Sequence, residues 1–422
     1  MADIAWIDLA LTSARPRAVA ALLRYFHDLD TAEEAFQEAC LSALKTWPDQ
    51  GPPRDPTAWL IFVGRNSGID AARSRGKHEA LPDEEVLSDL DDVEALLAER
   101  LDGEHYRDDI LRLLFICCHP DLPKTQQIAL ALRIVSGLSV KQIARAFLVS
   151  EDAMEQRITR AKKRIAAGRI AFGTPDDVER AERLSVVAAM TYLIFNEGYS
   201  AADDTAPARA VLCDEAIRLA RLLREIFPDD PEIMGLTALL LLQNARAAAR
   251  FDAAGTIILL EDQDRSLWDR RAIEEGLALI DKAMRQKRPG PYQVQAAVAA
   301  LHDRATRPEN TDWAGIDRLY ATLERMQPSP VITLNRAVAV SKVHGAATAL
   351  AMIEPLTEEL SGYFYFHGLR GAFLMQLRRE KEARLAFTEA IALARTVTEA
   401  AHIRMHLDRL AGTGPVPNQM SK

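Results

Sequence analysis

The residues best suited to chemistry on nucleic acid lie on one basic segment, residues 151–169. Its cations are Arg157, Arg160, Lys162, Lys163, Arg164 and Arg169. Gln156 and Thr159 add amide and hydroxyl groups that can hydrogen bond to base edges. Apolar residues recur through the segment at helical spacing, at Met154, Ile158, Ala161 and Ile165. The pattern predicts an amphipathic helix that contacts DNA through Gln156, Arg157, Thr159, Arg160 and Lys163.

Two shorter helices are predicted just before this one, within residues 125–147. Ser136-Gly137 ends the first, because glycine tolerates left-handed backbone geometry. Ser139 can cap the second helix and Ser150 the basic one. The break at 148–150 has the length that a helix-turn-helix needs. A solvated Lys/Arg face on a purely structural hairpin is the alternative, but the ordered set of turn, caps and basic helix favours DNA binding.

The composition of the 422 residues predicts a soluble globular protein of two or three domains. Asp3 and Asp8 interrupt the N-terminus, which argues against a signal peptide, and no apolar stretch approaches the roughly 20 residues of a membrane span. Four cysteines give no disulfide framework, so a reducing cytoplasm is the expected location. Cys117-Cys118-His119 lacks a second ligand pair at zinc spacing, which predicts buried cysteines and no metal or cofactor.

The net charge of −9 is unusual for a nucleic-acid binder, but the acids are concentrated. Residues 79–109 contain thirteen acidic residues against only Arg100 and Arg107. This acidic linker, bounded at 78–109, separates two more basic segments. The distribution predicts a DNA binder that needs help from a partner.

Residues 1–77 read as a small all-helical unit with helices over 14–29, 31–47 and 57–74. Thr31 is the predicted cap of the second helix. Its predicted core stripe consists of Ala32, Ala35, Phe36, Ala39, Ala43 and Leu44. Its exposed face is predicted to carry an acidic ridge of Asp30, Glu33, Glu34, Gln37 and Glu38. Taken alone, such a ridge is more typical of a solvated polar face.

The third helix combines aromatic and basic residues, a combination that can stack on unpaired bases and bind phosphates. Its polar residues are Arg65, Asn66 and Arg73, with Arg75 just beyond. Trp59 and Phe62, at helical spacing, are more typical of core residues.

Two stretches carry a family resemblance. HDLDTAEEAFQEACLSALKTWP followed by DPTAWLIFVGRNSGIDAARSR resembles region two of a bacterial extracytoplasmic-function sigma factor. GLSVKQIARAFLVSEDAMEQRITRAKKRI resembles region four of the same family. The resemblance covers most of residues 10–170, in the family's order and with a linker between the two regions.

The resemblance implies roles for individual residues. The second helix would dock on the coiled-coil clamp of RNA polymerase through Glu33, Glu34, Gln37 and Glu38. This role replaces the interpretation of the ridge as a merely solvated polar face. Arg65, Asn66, Asp70, Arg73 and Arg75 would lie on or near the DNA that is melted, with residues 48–56 forming a base pocket. The helix over 151–164 would enter the major groove of the upstream promoter element. Glu151, Asp152 and Glu155 depart from the family at its start, although Glu155 could accept a hydrogen bond from cytosine.

Residues 173–422 read as helical throughout, with proline-rich turns and no strand alternation. Near the end, a pattern of small and apolar residues recurs after about 34 residues, the period of a tetratricopeptide repeat. Ala337, Val340, Ala349, Ile353 and Leu356 recur in this way as Gly371, Leu374, Ala383, Phe387 and Ala390. This period and the small residues at helix crossings predict tetratricopeptide-like helix pairs, which bind peptides or pack on a neighbouring domain.

Two polar stretches punctuate this helical region. They contain Asn196, Glu197, Tyr199, Asp262, Asp264, Arg265 and Trp268. An enzyme would use Glu197, Asp262 and Asp264 as acid/base groups or metal ligands, but no histidine, phosphate loop or nucleophile accompanies them. We therefore predict a structural network or interdomain latch. Both stretches also resemble the sigma-factor subgroup whose long C-terminal extension regulates or supports activity.

The sequence thus predicts an all-α, non-enzymatic sigma factor whose partners are core RNA polymerase and promoter DNA. Its domains are 1–77 (region two), 110–172 (region four) and 173–422 (extension), with the linker threading toward the polymerase's nucleic-acid channel. A polymerase-independent helix-turn-helix regulator with a ligand- or peptide-sensing domain is the alternative. A helical enzyme or scaffold with a DNA-binding-like front end is a more distant one.

Overall fold

The computed structural model describes residues 5–51, 53–74, 104–119, 121–147, 149–167, 177–199, 206–252, 257–394 and 397–410. These ranges are helical and contain no strand, only one isolated β-bridge between Phe251 and Ile257. The chain divides into two compact units, residues 1–197 and 198–422. None of the helices in the described ranges is long and apolar enough to span a membrane. The all-α prediction is confirmed.

The first unit begins with a bundle of three helices, α1 (Ala5–Phe26), α2 (Leu29–Gln50) and α3 (Pro56–Ser74). Each packs against the other two. A carboxylate of Asp28 accepts a hydrogen bond from the backbone N–H of Thr31 at 2.8 Å. Asp28 is therefore the N-cap of α2, and the prediction that Thr31 caps this helix is wrong.

The buried face of α2 differs from the predicted stripe at one residue. Ala32, Ala35, Phe36, Ala39 and Ala43 are buried as predicted, and Trp47 continues the stripe. Leu44 is 48% exposed, because it follows Ala43 by one position and so lies about 100° around the helix. Its placement in the core was wrong.

Four further helices complete the part of the first unit that resembles a sigma factor. They are α4 (Glu104–Cys117), α5 (Lys124–Ile134), α6 (Val140–Ala146) and α7 (Glu151–Ala167). Most of the predicted acidic linker lies outside the described residues, but its end, from Glu104, belongs to α4. Asp109 there is buried and pairs with Arg24 of α1 at 3.0 Å, so this acid is structural.

The helix that follows, α8 (Asp177–Tyr199), packs back on the first unit. The Sγ atom of Cys118 lies 3.2 Å from the Sδ atom of Met190, and Arg183 stacks over the ring of Phe115. Cys117 and Cys118 are buried as predicted, and burial raises the pKa of Cys118 to about 12. The first compact unit therefore extends well beyond the predicted domain boundary at residue 172.

The second unit is an array of helices. Its members are α9 (Ala206–Ile226), α10 (Pro231–Asn244), α11 (Arg270–Arg285), α12 (Pro291–Arg304), α13 (Trp313–Met326), α14 (Pro330–His344), α15 (Ala346–Ile353), α16 (Phe364–Gln376), α17 (Glu380–Leu393) and α18 (Val397–Leu410). Most of α10 is buried, since it packs against α9, α11 and α12.

The predicted repeat is visible as two helix pairs, α14–α15 and α16–α17. Pro330 begins α14 and Phe364 begins α16, so the first helices of the pairs are separated by the predicted period. Ala346 and Glu380 begin the second helices of the pairs at the same separation. Both pairs contribute to one hydrophobic cluster. This confirms the helical C-terminal array.

Candidate nucleic-acid interface

The helix-turn-helix formed by α6 and α7 is built from local signals that the sequence contains. Gly137 has φ +75°, the left-handed geometry expected after α5. Ser139 and Gln142 form a reciprocal capping box at the start of α6. The Ser150 hydroxyl accepts the backbone N–H of Ala153 at 3.2 Å and so caps α7. These caps fix where both helices begin.

The recognition helix α7 buries one face and exposes the other. Met154, Ile158 and Ala161 are buried. The exposed face carries four of the predicted DNA-binding residues, Gln156, Thr159, Arg160 and Lys163. Arg157, the fifth, is half-buried. One helix face thus presents amide, hydroxyl and cationic groups together, as base and phosphate contacts require.

The first turns of α7 are acidic, as the sequence shows. Glu151, Asp152 and Glu155 are all exposed. Glu151 and Asp152 are favourable next to the positive end of the helix dipole. Glu155 lies beside Gln156 on the exposed face, where its carboxylate can accept a hydrogen bond but repels phosphate.

The predicted DNA side of α3 is only partly described. Arg65 is half-buried and its guanidinium stacks 4.5 Å from the centre of the Tyr25 ring, so it helps to fix α3 on α1. Asn66 is half-buried and Asp70 is exposed. Arg75 and the side chain of Arg73 lie outside the described residues.

Three tryptophans join the N-terminus of α1, the end of α2 and the start of α3. The rings of Trp6 and Trp47 stack at 5.9 Å, and Trp59 meets Trp47 edge-on at 5.3 Å. Trp59 is therefore engaged in packing, as predicted. The cluster holds both ends of the segment proposed to form a base pocket, residues 48–56.

The predicted polymerase-binding residues do not share one environment. Glu34, Gln37 and Glu38 are exposed on α2. Glu33 is buried, with 4% of its surface exposed, so its assignment to an exposed acidic ridge is wrong. Its carboxylate pairs with Lys162 at 2.9 Å, Arg133 at 3.0 Å and Arg15 at 3.4 Å. No sequence signal identifies this cluster, because its members are far apart along the chain: Lys162 follows Glu33 by 129 residues.

The polar residues of the C-terminal region fall into separate groups. Asn196 and Glu197 are half-buried near the end of α8. The carbonyl of Tyr199 accepts a hydrogen bond from Arg250, whose guanidinium also lies over the Tyr199 ring. Asp262 and Asp264 are exposed, and Asp264 accepts the backbone N–H of Ser266 at 2.9 Å. Asp262 and Asp264 therefore do not converge in a buried acid/base site.

Arg265 and Trp268 belong to a structural network. Arg265 stacks on the ring of Trp268 at 4.5 Å and donates a hydrogen bond to the carbonyl of His302 at 2.8 Å. This ties the segment before α11 to the end of α12. Within the described residues, no group of three or more His, Cys, Asp or Glu side chains is placed to hold a metal ion.

A buried carboxyl lies beside this network. Asp303 is 4% exposed, and neither of its carboxylate oxygens accepts a hydrogen bond from the described residues. Burial raises the pKa of Asp303 to about 6, against the opposing influence of Arg246. Burial lowers the pKa of the neighbouring His302 to about 4. The array therefore contains two neighbouring groups whose pKa values burial shifts in opposite directions, because the charged form of Asp303 is its deprotonated form and that of His302 its protonated form.

The helical bundle, the helix-turn-helix with its exposed polar face and the helical array define a DNA-binding protein with an added helical domain. Comparison with protein families gives three matches. "Sigma-70 region 2" matches residues 11–78, "Sigma-70, region 4" matches residues 112–165, and a "Family of unknown function (DUF6596)" matches residues 183–284.

The chain is 71% identical over 411 residues to an uncharacterized protein of Rhizobium meliloti (strain 1021), covering 97% of each chain. No solved structure matches it. The chain belongs to the sigma-70 family, as an extracytoplasmic-function-type sigma factor with a C-terminal extension. Its general role is that of a sigma factor in promoter recognition. The family resemblance identified from the sequence is thus confirmed.

Proposed function

We propose that this protein binds core RNA polymerase and directs transcription initiation at specific promoters. The observation that carries the proposal is an exposed stripe on α2, which we call the α2 stripe: Glu34, Gln37, Glu38, Leu41 and Leu44. Its positions follow helical spacing, so the five side chains share one face. Leu41 and Leu44 are 49% and 48% exposed. Large apolar side chains among acidic ones on an exposed helix face are typical of a helix-docking surface.

In a sigma factor the α2 stripe would serve as the docking surface for RNA polymerase. In a polymerase-independent regulator it would have no such role. Such a regulator needs only α5–α7 to bind an operator, which leaves both the α2 stripe and the region-two match at residues 11–78 without a role. In the proposed function, α2 docks on polymerase, α3 with Asn66 and Asp70 faces the melted DNA, and α7 reads the upstream element.

Binding and transcription with purified core RNA polymerase test the proposal. Full-length protein should associate with core enzyme and give promoter-specific run-off transcripts. The double variant Leu41→Ala, Leu44→Ala should weaken association at least about tenfold, since about half of each leucine remains to be buried, worth roughly 0.7–1.5 kcal/mol per side chain. Leu9→Ala, at a leucine 69% exposed on α1, is the matched control. Operator binding without any association with core enzyme would favour the polymerase-independent regulator.

We further propose that the C-terminal array modulates this activity. The supporting feature is its composition of stacked helix pairs, an architecture that serves as an interaction surface in other proteins. A chain ending after Tyr199 is the appropriate truncation, since a chain ending near residue 175 would also remove α8 and its contact with Cys118. Unchanged promoter binding and transcription after truncation at Tyr199 would refute this role.

A further inference from the structure

The Glu33 cluster joins helices α1–α3 to helices α5–α7. These are the two halves of the first unit, and they are proposed to bind different partners. We use this name for Arg15 on α1, Asp30 and Glu33 on α2, Arg133 on α5 and Lys162 on α7. The side chain of Glu33 is only 6% exposed, and its two oxygens contact the cations of α5 and α7 at 3.0 and 2.9 Å. Lys162 also pairs with Asp30 at 2.6 Å. The recognition helix is therefore fastened to α2 through Lys162.

Arg15 makes a further connection, between α1 and α5. Its Nε and Nη2 atoms donate hydrogen bonds to the carbonyls of Ile134 at 2.9 Å and Arg133 at 3.2 Å, at the end of α5. Its guanidinium lies 5.0 Å from the centre of the Phe36 ring. A Cβ atom on Gly137 would lie only 2.7 Å from the side chain of Arg15, so glycine permits this close approach.

The energetics of the cluster suit a contact that can open. Burial alone lowers the pKa of Lys162, and the hydrogen bonds to Asp30 and Glu33 overcome this and raise it. Burial lowers the pKa of Arg15, and Glu33 opposes this. The attraction within a buried ion cluster is largely offset by the loss of hydration, so separating both sides into water costs little. Removing one partner alone is costly, because the others stay buried and uncompensated.

The position of Lys162 links the cluster to DNA binding. Lys162 precedes Lys163 and follows Thr159 by one helical turn on the recognition helix, so DNA phosphates near α7 are natural partners for its ammonium group. We propose that the Glu33 cluster is a latch, in which Asp30 and Glu33 take the place of DNA phosphates at Lys162 and hold the two halves closed until DNA displaces them. This inference rests on the proposed function of α7 in DNA binding.

Fluorescence energy transfer within the full chain tests the latch without RNA polymerase. Labels are placed on Lys45→Cys of α2 and Ala167→Cys of α7, both exposed, in a background with Cys40→Ser. The other cysteines are buried. A mixed-sequence DNA duplex at low salt should lower the transfer efficiency. Glu33→Gln should lower the transfer efficiency even without DNA. It should also tighten duplex binding about fivefold, because more of the variant is already in the open form that binds DNA.

Asp49→Asn is the matched control, since it makes the same change of charge on an exposed residue of the same helix. Its transfer efficiency and affinity should stay near those of the parent. If Glu33→Gln fails to fold, as judged by circular dichroism, Lys162→Met removes the latch from the other side and should lower the transfer in the same way. Unchanged transfer in the folded variants, or on adding DNA, would overturn the latch.

The two proposals fail in distinguishable ways. If the chain opens on DNA but does not associate with core RNA polymerase, the latch is supported and the proposed polymerase binding is contradicted. If it supports promoter-specific transcription but its energy transfer does not change, the proposed function is supported and the latch is contradicted.

Discussion

Gly371 of α16 lies directly against the ring of Phe387 on α17: a Cβ atom on the glycine would be 2.6 Å from two ring carbons. The equivalent positions of the preceding helix pair, one repeat earlier, hold Ala337 and Ile353. The two helix crossings therefore pair a small residue with a large one in different ways. The first pair has alanine with isoleucine at these positions, and the second has the smaller glycine with the larger phenylalanine.

This relationship predicts that Gly371→Ala destabilises the second unit by about 1–3 kcal/mol, because the added methyl group overpacks the crossing. Introducing Phe387→Ile as well recreates the combination of the preceding pair, and the double variant should be more stable than the sum of the single effects predicts. Urea unfolding followed by circular dichroism measures all three variants. A neutral Gly371→Ala would show that the Phe387 ring can move aside freely.

The packing of α8 on α4 predicts a stability role for a helix outside both sigma-70 family matches. Met190→Ala should destabilise the first unit by about 2–4 kcal/mol, since Met190 is 2% exposed and leaves a cavity beside Cys118. Val186→Ala, at a residue 39% exposed one turn earlier, should have little effect. Thermal unfolding compares them. Equal stability of chains ending at residue 175 and at Tyr199 would contradict this role.

The exposed face of α7 predicts two different effects on DNA binding. Arg160→Ala should weaken binding to all sequences and reduce the slope of log K against log salt by about 1, as the loss of one phosphate contact does. Gln156→Ala should mainly change base preference in a selection from random duplexes. Lys381→Ala, an exposed charge change in the second unit, is the control. Identical salt slopes for Arg160→Ala and the control would show that Arg160 does not contact a DNA phosphate.

The buried carboxyl of Asp303 predicts a pH-dependent stability difference. Its pKa in the folded protein, about 6, lies above its ordinary value, so its contribution to stability is present at low pH and lost as the pH rises through about 6. Asp303→Asn removes this loss, so the stability of the variant relative to the parent should rise by about 3 kcal/mol between pH 4 and pH 7.

His302 has the opposite sign, because its lowered pKa makes the protein lose stability as the pH falls toward about 4. Parent and Asp303→Asn share this contribution, so it largely cancels from their difference in unfolding free energy. Urea unfolding at several pH values gives that difference, with Asp262→Asn, at an exposed aspartate, as the control. A difference that is flat with pH would mean that Asp303 titrates normally.

The sequence by itself determined the features that depend on near neighbours along the chain. The Gly137 turn, the caps at Ser139 and Ser150 and the C-terminal repeat involve residues within a few turns or in a regular period, so their chemistry is readable from spacing. Periodicity also identified five of the six predicted core residues of α2.

Only the tertiary structure decided which polar residues are buried and what they contact. Glu33 looks like its exposed neighbour Glu34, but Arg133 and Lys162, far away along the chain, compensate its charge and allow its burial. The same holds for α8, whose apolar residues do not reveal that they pack on α4, and for Arg265, which donates a hydrogen bond to the distant carbonyl of His302. Charge compensation and packing between distant segments depend on the folded arrangement of helices, which local spacing does not specify.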